Sequence, residues 1–512
     1  MSENSHDSPI RELDVVRWLI DDALIVASGN TDYIAHTRTG YLVDLDDDKS
    51  DGSESSTYPT LRMAVLDCID SKHGKQARMV WEDFIMRTVV IQQLVKMIRM
   101  LHVAGEIPQI KLSSRLAVNG MLYTSDGYAL HLVSGDWKSV LELRERGIYA
   151  LQTMTINRTR EECHTAIQLT TKSIHHAKPR DEMQPGFHYR DIKRRYVDTG
   201  IATLTGAALW GSSQKQVNLI QIPKSNFGKT AYHEITRNAI GHTENYSTTT
   251  LAKYAASDGK FSPLQQLMSI KRLITLENIE KTDGNGDAML NRDKLIIMTD
   301  NATESEVKYK GFESFRRIAN LIGLAAGQID ITYAQGVDTR IGTVISIKEN
   351  ELPPMAKVVA DYIFHDKSTN DIEEQIGLEE KYEELDLWYL GQMMVGASTV
   401  FRAMHSDRSI TLFECVQHVI GRDSDREEFI ATIKDRNPHT ILEQDYELSS
   451  DESTLAGDIA EHLNSKECSP KVNHNGGTAS SRLDQYIRKA FPRVVTTEKP
   501  KRYNIVLKEG QL

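Results

Sequence analysis

The sequence predicts a mixed, predominantly α-helical chain. It has a small β-meander at about 115–133, an α/β layer over about 215–350 and a flexible C-terminal tail. Three observations carry this prediction. Long stretches repeat apolar residues at three- and four-residue spacing, the period of a helix with one buried face. The dipeptides Asn119-Gly120 and Asp126-Gly127 sit between short apolar runs, and such dipeptides favour tight hairpin turns. From residue 217 onward, short apolar runs alternate with helical patterns, as layered α/β folds require.

Residues 11–28 read as an amphipathic helix, with Val15, Leu19, Leu24 and Val26 among its apolar positions. The acidic, serine-rich stretch 44–56 reads as a solvated loop. A long helix is expected over 77–104, carrying Trp81, Phe84, Ile85, Ile91, Leu94, Ile98 and Leu101, and Gly105 and Pro108 stop it. The meander strands are expected at 116–118, 121–124 and 128–133, followed by helices at 136–154 and 158–177. In the α/β layer, strands are expected at 217–222, 294–299, 328–334 and 342–347, and helices at 231–240, 263–280 and 312–326. Helices follow at 353–363, at 371–387 (acidic) and at 390–404 and 410–420 (buried).

Periodicity is lost over 443–481, which reads as a flexible linker; a short helix near 483–490 and a strand-like end complete the chain. The expected organisation is therefore a helical N-terminal region with the meander (1–154), a central core (155–442), the linker (443–481) and a basic C-terminal element (482–512).

Composition narrows the class. Of 512 residues, 40% are hydrophobic and 26% charged, an ordinary globular balance. No run approaches the roughly 18 apolar residues of a membrane span, and the most hydrophobic long segment carries Glu82, Asp83, Arg87, Lys96 and Arg99. The first residues are polar and acidic, unlike a secretory leader. Cys68, Cys163, Cys415 and Cys468 are widely spaced, which fits a reducing compartment. The expectation is a cytoplasmic protein with no membrane contact, or a virion component if the source is viral.

Charge is distributed unevenly. Residues 151–260 hold 15 Lys/Arg against 9 acids, net +6 in a chain of -11. The densest part sets Arg190, Lys193, Arg194 and Arg195 between Tyr189 and Tyr196, a pattern suited to a nucleic-acid backbone with stacked bases. The C-terminal element carries eight Lys/Arg against three acids, net +5. The first functional reading is a non-enzymatic, RNA-associated, self-assembling protein, in layout similar to viral nucleoproteins or capsid proteins. RNA and further copies of the chain are the expected partners, with a protein partner for the acidic tail and no cofactor.

The alternative is enzymatic. Residues 223–230, PKSNFGKT, follow a predicted strand and open a predicted helix. This resembles a P-loop NTPase, in which backbone N–H groups, the lysine and the hydroxyl hold phosphates and Mg²⁺. The resemblance implies nucleotide contacts from Lys224, Gly228, Lys229 and Thr230. It assigns the second, metal-holding carboxylate to Asp300, at the end of the apolar run 294–299. Pro223 stands where the pattern has its first glycine.

A second alternative is a protein-interaction scaffold. The run ending in Asp300 also resembles the late part of a von Willebrand A-type domain, but its DxSxS site has no counterpart. Asp283, Asn285 and Asp287 resemble the start of an EF-hand loop; Ala288 and Lys294 break that pattern. Cys163, His164, His175 and His176 match no standard zinc spacing, so no metal site is expected.

Overall fold

The computed structural model describes residues 10–45, 57–116, 118–171, 200–211, 216–223, 229–241, 246–250, 271–277, 292–299, 302–307, 311–316, 319–327, 335–348, 372–406, 423–466, 481–498 and 500–508, with a few single or paired residues between. The chain divides into two compact units, the first essentially residues 1–162 and the second 163–512. The fold is mixed α/β, with several small sheets and one parallel five-stranded sheet.

Unit one packs helix Glu12–Asp21, the helical stretch Thr57–Ile85, which breaks at Gly74 where φ is +80°, and helix Thr88–Val103 with an antiparallel sheet of Ile25–Ser28, Thr31–Ala35 and Leu42–Asp44. Their apolar faces meet in one core that includes Val15, Leu19, Ile34, Leu61, Val65, Ile91, Leu94 and Ile98. The predicted helix at 11–28 therefore ends at Asp21, because Ile25 and Ala27 are drawn into strand pairing. The predicted helix at 77–104 is two helices, separated by a turn at Met86 and Arg87.

The meander is present but shifted. Its strands are Met121–Tyr123, Tyr128–His131 and Asp136–Ser139; the third was expected to be helical, and only Val140–Glu145 is. Gly127 turns the first hairpin with φ +88°, and a Cβ there would lie 2.8 Å from Thr39 Cα.

Unit two is built on strands β1 (Val217–Ile222), β2 (Tyr246–Thr250), β3 (Leu273–Glu277), β4 (Asn320–Ala326) and β5 (Ile341–Ser346), in the order β5-β1-β4-β3-β2. All pairings are parallel. Val344, Leu219, Gly323, Leu276 and Thr249 form one row across all five strands. Strands covered on both faces are buried along their length, and β3, β4 and β5 are buried at all but their last position, β1 at four of its six.

Helices α1 (Ile201–Trp210), α2 (Lys229–Ala239), α3 (Arg292–Thr299), α4 (Ile372–Ser406) and α5 (Asp423–Asp435) accompany the sheet. Leu295 and Met298 of α3 and Phe429, Ile430 and Ile433 of α5 share a core with Val217, Leu219, Ile274, Leu276 and Leu321. Arg426 of α5 donates to the carbonyls of Ile341 and Asp338, at 3.1 and 2.8 Å, and so seats α5 on β5.

Helix α1 is apolar all round and buried along almost its whole length. Its last carbonyls are capped from the sheet: Asn320 Nδ2 donates to Ala208 and Gly211, and the buried Arg272 donates to Leu209 at 3.0 Å. A cation there also complements the helix dipole.

Three assignments in this layer are corrected. The run 294–299, expected as a strand, is the end of helix α3; a short apolar run does not distinguish a buried strand from a buried helix. The helix expected at 312–326 is instead a strand of the hairpin Ala302–Val307/Gly311–Arg316, followed by β4. Within 263–280, expected to be helical, lies β3.

The acidic stretch 371–387 and the buried stretch 390–404 form the single helix α4. The expected linker 443–481 contains helix Ala456–Ser465, whose Ile459, Ala460 and Leu463 are fully buried in a small C-terminal core. Its polar composition hides an apolar stripe of only a few residues, which suffices once helices Pro438–Asp445 and Ser481–Ala490 cover it. The four cysteines are buried, and no disulfide joins them. Among the described residues, no helix is long and apolar enough to cross a membrane.

Candidate nucleotide site

In a parallel sheet every strand ends at the same edge. Ligands bind outside that edge, where the direction of chain progression reverses. Here the chain leaves β1 through α2 for the far edge at β2, returns through β3 and β4, and then adds β5 on the other side of β1. The reversal falls beside β1. The segment that follows β1 is the phosphate-loop candidate of residues 223–230.

Lys229 and Thr230 are the first two residues of α2, Lys229 half-buried and Thr230 exposed. No acidic residue occupies the first turn of this helix, so no carboxylate there offsets the positive end of its dipole. Tyr232, fully buried, holds the helix in place: its hydroxyl lies 3.0 Å from Thr205 Oγ1 of α1. Burial pushes this phenol well above its ordinary range, so it acts as a neutral hydrogen-bonding group.

Glu277 ends β3. Its Oε1 stands 3.0 Å from Nε2 of His233, one turn along α2 from Lys229. The other ring nitrogen of His233, Nδ1, faces a polar cluster: it lies 2.7 Å from Tyr246 Oη and 3.2 Å from Thr275 Oγ1. Thr248 donates to Tyr246 at 3.0 Å, and Thr275 donates to Thr248 at 3.0 Å. Residues of β2 and β3 thus fix the ring that meets Glu277. Burial pushes the Tyr246 phenol up to about 12.

Contact with His233, against an opposing effect of partial burial, holds the Glu277 carboxyl below its ordinary range; the positive charge of Lys229 adds to the lowering. The loop-end lysine and the strand-end carboxylate are therefore within electrostatic reach of each other, although 48 positions separate them in sequence. An ionised carboxylate within electrostatic reach of a lysine suits phosphate with a hard cation. Mg²⁺ takes one or two carboxylates and relies on substrate phosphates and water for the rest.

Sequence reasoning named Lys229 and Thr230, and did not name Glu277. Its choice, Asp300, lies outside the described residues, but the reason for choosing it fails. The preceding residues are helix α3, not a strand, and Thr299 Oγ1 accepts from Arg340 Nη1 at 2.9 Å. Arg340 immediately precedes β5, so this contact is at the starting edge of the sheet, away from Lys229. A usable signal for Glu277 existed: the run LITLE is β-rich and ends in an acid. Lys224 and Gly228 lie outside the described residues, as do Tyr189, Arg190, Lys193, Arg194, Arg195 and Tyr196.

No family model matches the chain, and no curated protein matches it. Solved structures do. An apo structure described as the NrS-1 C-terminal region matches with 10% identity and a TM-score of 0.32, over 98% of this chain and 99% of that one. A second apo structure of that region matches with 12% identity and a TM-score of 0.33, over 97% and 99%. A structure described as SCCmec type IV Cch, an active helicase, matches with 11% identity and a TM-score of 0.26, over 82% and 83%.

The non-enzymatic, nucleoprotein-like reading of the sequence is corrected here. The structures matched are described as an NrS-1 C-terminal region and an active helicase, and not as a nucleoprotein or capsid protein. The physical reason lies in the chain itself. The α/β stretch is a parallel sheet, and the helix that opens at Lys229 and Thr230 meets the strand-ending Glu277 through His233 at 3.0 Å.

Proposed function

We propose that unit two binds a nucleoside triphosphate at the strand-ending edge of its sheet and hydrolyses it with Mg²⁺. The observation that supports this reading best is the 3.0 Å contact of Glu277 with His233, which brings a strand-end carboxylate to the helix that opens at Lys229. Lys229 and the N–H groups opening α2 would hold the phosphates, and the Thr230 hydroxyl would face the cation. When bound, Mg²⁺ supplies charge neutralisation on the phosphate oxygens. Glu277, kept ionised by His233 and Lys229, would orient a water molecule and accept its proton. His233 touches no substrate in this arrangement; it positions Glu277 and carries the restraint of Tyr246 and Thr275 to it.

The experiment is binding of a fluorescent ATP or GTP analogue to the full chain with and without Mg²⁺, followed by phosphate release. Mg²⁺-dependent binding that Lys229→Ala removes, with the melting temperature unchanged, supports the reading. Undiminished binding by that variant overturns it.

A further inference from the structure

We infer that the C-terminal element of residues 437–508 docks a duplex of B-form DNA, with helix Ser481–Ala490 laid in the major groove. The inference is independent of the nucleotide site. It starts from topology. Helix Pro438–Asp445 leads to a short strand Thr454–Leu455, then helix Ala456–Ser465, helix Ser481–Ala490 and a hairpin of Thr496–Glu498 and Lys501–Tyr503. The three strands form one antiparallel sheet, with Lys501–Tyr503 in the middle. The three helices share a core with Tyr503 and Ile505. This is a helix–turn–helix layout with an appended β-hairpin, although its connection 466–480 is longer than the usual short turn. In that layout the second helix of the pair is the one that enters the groove.

The side chains fit that role. Leu483 and Ile487 are fully buried, and Tyr486, Ala490 and Phe491 pack against the core. Gln485, Arg488 and Lys489 stand exposed at positions i, i+3 and i+4, and therefore share the opposite face. Exposed Arg493 follows the helix, and the hairpin brings Lys501 and Arg502. Arg488 is held ready: its Nε donates to Asp484 at 2.8 Å, and Asp484 also meets Lys501 Nζ at 3.0 Å and accepts from Tyr503 at 2.9 Å. One carboxylate thus ties the helix to the hairpin. The stretch 482–512 has eight Lys/Arg against three acids, in a chain of net charge -11.

The same features choose among nucleic acids. A B-form major groove admits a helix, whereas the deep, narrow major groove of an RNA duplex does not. Single strands are gripped by stacking on exposed aromatic rings. Here Tyr486 and Phe491 pack on the core and Tyr503 is fully buried.

The test titrates the full chain against a fluorescein-labelled, mixed-sequence DNA duplex of about 20 base pairs, beside an RNA duplex of the same length, at several salt concentrations. The DNA should bind, with affinity falling as salt rises. Lys489→Glu combined with Arg493→Glu should weaken binding at least about tenfold and lower the salt slope by about two. Lys229→Ala should leave it unchanged. Failure of the wild type to bind the DNA, equal binding by the double variant, or equal binding of the RNA duplex overturns the inference. If the double variant melts early, Lys489→Gln, which removes one charge at an exposed position, decides the matter on the same two readouts.

Discussion

Nε2 of His233 on α2 and Oε1 of Glu277 at the end of β3 stand 3.0 Å apart. This contact joins the helix that follows the phosphate-loop candidate to a strand two places across the sheet from the strand that precedes it. It converts a local motif into a site with an acid in it.

Glu277→Gln keeps the size of the side chain and removes its charge. It should lower the rate of nucleotide hydrolysis by about a hundredfold or more, the usual worth of a positioned general base, while nucleotide binding persists. Phosphate release and analogue binding, measured on the same preparation, check this.

Lys229→Ala acts on affinity. A charge-assisted hydrogen bond to phosphate contributes on the order of 1.5–3 kcal/mol, so the Kd for nucleotide should rise roughly tenfold to a hundredfold. Titration with a fluorescent analogue reads it directly.

His233→Gln tests positioning through pH. His233 is the largest cause of the lowered Glu277 pKa. Without it the carboxyl protonates at higher pH, so the acid limb of the kcat/KM profile should move upward while the limiting rate at alkaline pH is better preserved. An unmoved acid limb would remove His233 from this role.

Helices α1 and α4 touch through small residues. A Cβ on Gly206 would strike the Met393 carbonyl, and one on Gly396 would lie 2.5 Å from Thr203 Oγ1. Gly206→Val cannot be relieved by a rotamer change, because the obstacle at Gly206 is backbone. It should destabilise the protein by about 1–3 kcal/mol or more. A lowered melting temperature, with Tyr232 losing its seat against Thr205, is the expected result.

The carboxyl of Asp484, which partial burial would raise, is drawn down from 3.8 to about 2 by hydrogen bonds from Arg488, Lys501 and Tyr503. A depressed carboxyl contributes stability that is complete above its unfolded value and is lost as pH falls through the folded one. Acid unfolding of the C-terminal element should therefore lose this contribution between about pH 4 and pH 2. Asp484→Asn should flatten that part of the stability curve, which circular dichroism against pH will show.

The sequence by itself determined the elements whose signal is local. The strand Val217–Ile222 and the helix after it were legible because an apolar-rich run, the tripeptide Gly-Lys-Thr and a helical period follow one another within about two dozen residues. Lys229 and Thr230 were legible for the same reason. Only the tertiary structure brought an acid to that helix. Glu277 meets His233 because β3 lies in the same parallel sheet as β1, with β4 between them, and no local pattern encodes that order. The same limit reversed the assignment of β3 and α3. A five- or six-residue apolar run has too few positions to separate period 2 from period 3.6, and only the partners beside it settle which backbone hydrogen bonds it makes.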